Sequence, residues 1–277
     1  MDMNFLESLI YGLVSGLAEF LPISMQAQQS ILLKLFGCQS SPLMQLFIRI
    51  AVFAALIAAT KDQLSSLYRE MRLDAVPRRR RRRQPDRRSL LDIRQIKTAF
   101  YPLLISFFFY PVTSQWHGRL NFIAGFLLLN GLILFIPQFF PSGNKDSRSV
   151  SRLEGVLFGL FAGLGVLPGV SRIGACTAIG SLTGADRRQA LHWSLLLSIP
   201  ALCFLMGFDI QAIILQGTGI AGFGTVIQCL LASATAFFGA YGAIILMRFL
   251  AVNSGFAGFV YYCWGGALFT FILFLTI

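Results

Sequence analysis

The sequence predicts an all-α polytopic membrane protein, with six transmembrane helices and two re-entrant helix hairpins in an inverted-topology repeat. Three observations carry this. Of 277 residues, 56% belong to the AVILMFWYC set and 13% are charged, with a mean hydropathy of +0.69. A soluble domain has about 45–50% apolar and about 25% charged residues, so a water-exposed globular fold is excluded. Several stretches reach the roughly 20 apolar residues that a bilayer crossing needs. Two other apolar stretches are broken near the middle and share one pattern of glycine, leucine and proline.

The first broken stretch runs from Phe5 to Phe36 and holds Glu19, Pro22, Ser24 and the polar run Gln26-Ala27-Gln28-Gln29-Ser30. Pro42 to Thr60 follows as a span interrupted by Arg49. After the basic segment come spans at Ala99 to Trp116 and Phe122 to Phe140. The second broken stretch, Leu153 to Leu182, contains Pro168-Gly169-Val170-Ser171-Arg172, and spans at Gln189 to Phe208, Gly222 to Met247 and Gly255 to Ile277 complete the chain. Broken helices at membrane depth survive only where the freed backbone is buried in protein or lines a cavity, so these two stretches mark the candidate site.

Gly12-Leu13-x-x-Gly16-Leu17 with Leu21-Pro22-x-Ser24 recurs as Gly159-Leu160-x-x-Gly163-Leu164 with Leu167-Pro168-x-x-Ser171, about half the chain later. The expected organisation is one membrane domain over 1–277, with a first repeat at 1–140 and a second at 153–277. Each copy precedes three spans, an odd number, so the second copy enters from the opposite face. Loop charge agrees. Basic residues gather at Lys61 to Lys97, Lys145 to Arg152, Arg187-Arg188 and Arg248, whereas the alternate connections carry one Arg. The positive-inside rule then places the 61–97 segment in the cytoplasm and opens the first hairpin from outside, with the binding site at the repeat interface.

The net charge of +11 is concentrated between Arg69 and Lys97, which holds twelve basic and four acidic residues. Anchoring and attraction to anionic lipid explain such a run between two spans, and no nucleic-acid partner is expected. Self-repulsion and Pro77 and Pro85 make residues 73–95 an expected disordered loop. The cysteines are single and scattered, without a zinc or disulfide pattern. The acidic start, Met-Asp-Met-Asn-Phe-Leu-Glu, predicts no cleaved signal.

Within the apolar stretches the ionisable residues are Glu19, Lys34, Arg49 and Arg172. Such groups are costly in a bilayer and mark function. Lys34 lies near a segment end and can snorkel to the interface. Arg172 follows a Pro-Gly break, where a new half-helix would present unpaired N–H groups; a helix start plus a guanidinium suits phosphate. Glu19 would meet Arg172 if the broken tips converge. His117 beside Trp116 at a span end, and His192 inside a span, read as hydrogen-bonded structural residues.

Gly16-Leu17-Ala18-Glu19-Phe20-Leu21-Pro22-Ile23-Ser24 and Leu167-Pro168-Gly169-Val170-Ser171-Arg172, followed by Ser194-Leu195-Leu196-Leu197-Ser198-Ile199-Pro200, resemble the bacterial undecaprenyl pyrophosphate phosphatase family over nearly the whole chain. The resemblance implies a multi-pass protein of the bacterial cytoplasmic membrane. It also implies removal of the terminal phosphate of the C55 carrier lipid diphosphate for cell-wall (peptidoglycan) synthesis, Mg or Ca dependence, a site reached from the outer face, and bacitracin resistance. The family's first signature is Glu-Gly-x-x-Glu-Phe-Leu-Pro-x-Ser-Ser-Thr-Gly-His. Here Ser15 stands for the first Glu, Met25 for the second Ser, Gln26 for Thr, Ala27 for Gly and Gln28 for His. Ile173 replaces the last Ser of Pro-Gly-x-Ser-Arg-Ser-Gly, and Gln45 and Arg49 stand on the next span where the family has Glu and Gln.

Diphosphate hydrolysis needs a nucleophile, a proton acceptor and charge stabilisation. Met25 cannot attack phosphorus, Gln28 cannot accept a proton near neutral pH, and Ser15 is a poor metal ligand. Phosphate recognition remains, through Arg172, Gly169, Ser171 and Arg49. Three readings stay open. One is a phosphatase using Ser24 or Ser171 as nucleophile and Glu19 as base, with Mg or Ca, Glu19 being the one candidate metal ligand. Another is a protein that flips or senses polyprenyl phosphate or diphosphate with little or no hydrolysis, and this is the favoured expectation. The third is a structural remnant or partner subunit. Small residues such as Gly16 could pack helices within one chain or between copies, so a homo-oligomer is left open.

Overall fold

The computed structural model describes residues 3–75, 91–140, 143, 145, 149–216, 222–253 and 256–276. Among them the architecture is all-α: α1 Phe5–Phe20, α2 Met25–Phe36, α3 Pro42–Ala59, α4 Lys61–Ala75, α5 Leu91–Phe108, α6 Tyr110–Thr113, α7 Leu120–Phe135, α8 Arg152–Gly163, α9 Arg172–Leu182, α10 Arg187–Gln216, α11 Phe223–Asn253 and α12 Ala257–Thr276. Five helices are long and apolar enough to cross a bilayer, and a sixth span forms from Arg94–Phe108 and Tyr110–Trp116, bent by 47°. The sequence reading took this last span as unbroken. The bend falls at Phe109, just before Pro111, which sits in the first turn of α6 and has no N–H to give to a continuous helix. Large side chains such as Phe108 and Phe223, exposed by 84% and 82%, stand on the outer surface as lipid-facing groups do.

The hairpins are short. At 1.5 Å per residue, the 12 residues of α2 and α8 and the 11 of α9 rise only about 16–18 Å against a hydrocarbon layer of about 30 Å. Each hairpin begins alike. Asn4 caps α1 by accepting from Glu7 N–H (2.8 Å) while the Glu7 carboxylate accepts from Asn4 N–H (2.7 Å), and Ser151 and Glu154 repeat this reciprocal cap on α8. Ser24 and Ser171 stand at the N-caps of α2 and α9. All of these pairs share one constant sequence offset.

The halves exchange partners. Helix α1 packs on α11, α8 packs on α5, and α7 packs on α12. The glycines explain how closely. A Cβ on Gly12 would lie 2.1 Å from the Ala232 carbonyl oxygen, and one on Gly159 would lie 2.1 Å from that of Ala99. The small-xxx-small pattern of each hairpin therefore packs within the chain, where close backbone approach is the main source of helix attraction in lipid.

The basic segment differs in part from the loop expected over 73–95, because α4 and α5 extend into its two ends, at 73–75 and 91–95. Lys61–Ala75 is helical, with Leu64, Leu67, Tyr68 and Met71 recurring on one face, the pattern of an interfacial amphipathic helix. The arginine run Arg78 to Arg83 lies outside the described residues.

Candidate functional site

The two broken tips meet and are clasped. Ser24 takes the left-handed φ of 61°, a strained value for a residue with a Cβ, and its Oγ accepts the Gly169 N–H at 3.1 Å. Gly169 itself has φ 129°, and a Cβ there would sit 2.6 Å from Phe126 Cβ, so only glycine fits. In return the Ser171 hydroxyl donates to the Leu21 carbonyl (3.0 Å) and accepts from Gly174 N–H (3.2 Å). Asn130 of α7, fully buried, holds both tips: its Oδ1 accepts from Ser171 N–H (2.9 Å) and its Nδ2 donates to the Pro22 carbonyl (3.0 Å). Sequence reasoning missed Asn130. A lone carboxamide in the run Leu127-Leu128-Leu129-Asn130 was the available signal, because an amide in lipid needs partners.

Glu19 and Arg172 come together as the converging tips require, with Arg172 Nη1 3.3 Å from Glu19 Oε1 and both side chains under 10% exposed. The pair is ionic only: Arg172 Nη1 makes no hydrogen bond. A second buried pair stands nearby, with Arg49 Nε of α3 3.1 Å from Asp209 Oδ2 of α10. Arg49 Nη1 also lacks a hydrogen-bond partner. Asp209 corrects the sequence reading, which ended the span at Phe208 and placed Asp209 in a connection. The helix continues to Gln216, and burial of Asp209 is made tolerable by the guanidinium opposite.

Glu19, Ser24, Met25, Gln26, Arg49, Ser171 and Arg172 line one cavity of about 20 Å³, room for about one water. Gln26 and Arg49 also line a vestibule of about 830 Å³, bounded by the α2–α3 connection, residues 115–119 and the far part of α10. Lys34 is exposed at the vestibule edge, as a snorkelling lysine would be.

The anion donors sit differently from expectation. Ser171 caps α9, and its own N–H goes to Asn130, whereas the Ser24 side chain makes no cap bond to α2. The uncapped helix start at this cavity is therefore that of α2, carrying Met25 and Gln26. At the altered signature positions, Ser15 Oγ accepts from Gln29 Nε2 (2.9 Å), Gln28 donates to Ile23 and accepts from Tyr262, and Ile173 is fully buried in the core.

The Nε2 of His117 is buried without a hydrogen-bond partner. Burial, helped by Arg49, pushes the imidazole down to about 4, so the ring is neutral at physiological pH. His192 makes further polar or ring contacts and lines a separate cavity of about 200 Å³ with Arg188 and Arg248.

Among the described residues no group of three His, Cys, Asp or Glu could hold a metal, and both carboxylates near the cavity already face guanidiniums.

Residues 8–269 match the family model described as bacitracin resistance protein BacA. The chain is 32% identical over 281 residues to an undecaprenyl-diphosphatase of Micrococcus luteus, covering 98% of each protein. It is 30% identical to that of a Nocardioides species (94% of this chain, 93% of the relative) and 29% identical to that of Methanobrevibacter smithii (95% of each).

Proposed function

The chain belongs to the bacitracin resistance protein BacA family, and we propose that it binds polyprenyl phosphate or diphosphate carrier lipid with little or no hydrolysis, serving to sense or flip it. The observation that carries this reading is the pair of buried guanidiniums, Arg172 and Arg49, at one cavity, with Glu19 of its wall facing Arg172 and Asp209 of the adjoining vestibule facing Arg49. Guanidiniums grip phosphate without a metal. Ser171 spends its hydroxyl proton on Leu21, and Met25 and Gln28 offer neither nucleophile nor base. The repeats run over 1–140 and 153–277. The vestibule lies on the sparsely charged side, which supports an outer opening and a cytoplasmic 61–97 segment in the bacterial inner membrane, its basic residues drawn to anionic lipid.

One observation favours the phosphatase alternative. Ser24 is held in a strained conformation beside Glu19 and Arg172, and strain of this kind gathers at reactive centres.

The test incubates purified protein with C55 diphosphate, with Mg²⁺, with Ca²⁺ and with EDTA. Phosphate release stays at background, while C55 phosphate raises the melting temperature equally in all three. Arg172→Ala abolishes that rise, Arg49→Gln weakens it, and Lys34→Gln leaves it unchanged. Release at the rate of a functional relative, lost in Arg172→Ala, overturns the proposal. Absence of any thermal shift favours the structural-remnant reading instead.

A further inference from the structure

The vestibule beyond Arg49 has a chemistry that phosphate alone does not use. Its wall carries five glutamines, Gln26, Gln29, Gln39, Gln45 and Gln115, with Ser30 and Ser40. At about 830 Å³ it falls in the range of small-molecule sites, about 300–1,000 Å³. Three basic residues, Lys34, Arg49 and Arg119, face one acidic residue, Asp209.

Buried polar atoms without partners gather here. Gln26 Oε1, Gln45 Oε1, His117 Nε2 and Arg49 Nη1 all belong to this wall. Gln45 is informative because its Nε2 already reaches Tyr11 and Ser40, so one end of the amide is left unpaired whichever way round it sits. Phosphate oxygens only accept hydrogen bonds at the sites that matter, so phosphate satisfies Arg49 and leaves both amide oxygens unmet. A hydroxyl both donates and accepts. A ring bearing several hydroxyls satisfies amide oxygens, amide N–H groups and serines together, and amide side chains read hydroxyls without the cost of burying another charge.

We infer that the vestibule binds a saccharide carried on the polyprenyl phosphate, so that the preferred ligand is a glycosylated carrier lipid whose phosphate sits at Arg49, where the vestibule meets the small cavity lined by Arg172. The inference rests on the proposed function and names the head group of that same site. Gln26, on the wall shared by both cavities, is where sugar and phosphate adjoin.

The experiment compares a polyprenyl phosphate with the same lipid carrying one hexose on the phosphate. Binding to the detergent-solubilised full chain is read by thermal shift and by competition. The glycosylated lipid binds about tenfold more tightly, the size expected when one or two buried hydrogen bonds are gained. Gln26→Leu, and independently Gln115→Leu on the exposed rim, bring the ratio towards one. Equal affinity for the two lipids, or a ratio untouched by either variant, overturns the inference while leaving the proposed function standing. Free hexose displacing the bare phosphate lipid without preference for the linked form also overturns it. Failure of both lipids to bind sinks the proposed function itself.

Discussion

The two hairpin tips share one frame and carry different chemistry. Each begins with a reciprocal Asn or Ser to Glu cap, each packs its glycines against a helix of the other half, and each reaches across with a serine at the N-cap of its second helix. At the next position the second tip has Arg172 and the first has Met25. The second tip is capped and charged. The first is uncapped, strained at Ser24 and apolar at Met25. Duplicated backbone geometry thus sets where the tips meet, and the side chain after each serine sets what the meeting point can hold.

The comparison breaks most visibly if the second tip is made like the first. Arg172→Met leaves Glu19 buried without its partner and is expected to cost about 3–5 kcal/mol in detergent unfolding. Adding Glu19→Gln recovers most of that loss without restoring lipid binding. If Arg172→Met alone costs nothing, the tips are not distinguished by charge.

A smaller loss tests the shared frame. Asn130→Ala strands Ser171 N–H and leaves the Pro22 carbonyl only the weak Cys263 thiol donor, which lowers stability by about 1–3 kcal/mol in the same unfolding experiment. The smallest effects separate the serines. Ser171→Ala removes a cap worth about 1 kcal/mol, whereas Ser24→Gly changes stability by less than about 0.5 kcal/mol, because relief of the left-handed strain offsets the lost bond to Gly169. Equal losses for the two would show that Ser24 is not strained.

Much of this frame was legible because membrane chemistry is unforgiving. Prolines flanked by polar residues inside apolar stretches announced the tips, and charges with nowhere else to go announced the meeting of Glu19 with Arg172. Asp209 escaped notice for a physical reason: next to Gly207 and Phe208 it looks like a helix leaving the membrane, and only its contact with Arg49, distant in sequence, keeps it buried. Asn130 escaped because its span absorbs one neutral amide and keeps a mean hydropathy of 2.1, although Asn130 holds both tips. The bend beside Pro111 and the capping of α9 depend on local geometry that apolar length does not encode.

The clasp also limits how the molecule can move. Three buried hydrogen bonds and two ion pairs tie one half to the other across the middle, through Ser24, Ser171, Asn130, Arg172 and Arg49. A see-saw swing of the halves would sever them on every cycle, each orphaned group costing about 1–3 kcal/mol. The two halves are therefore held as one unit at their crossing point, and the proposed flipping of a lipid would have to run past this closed clasp rather than open it.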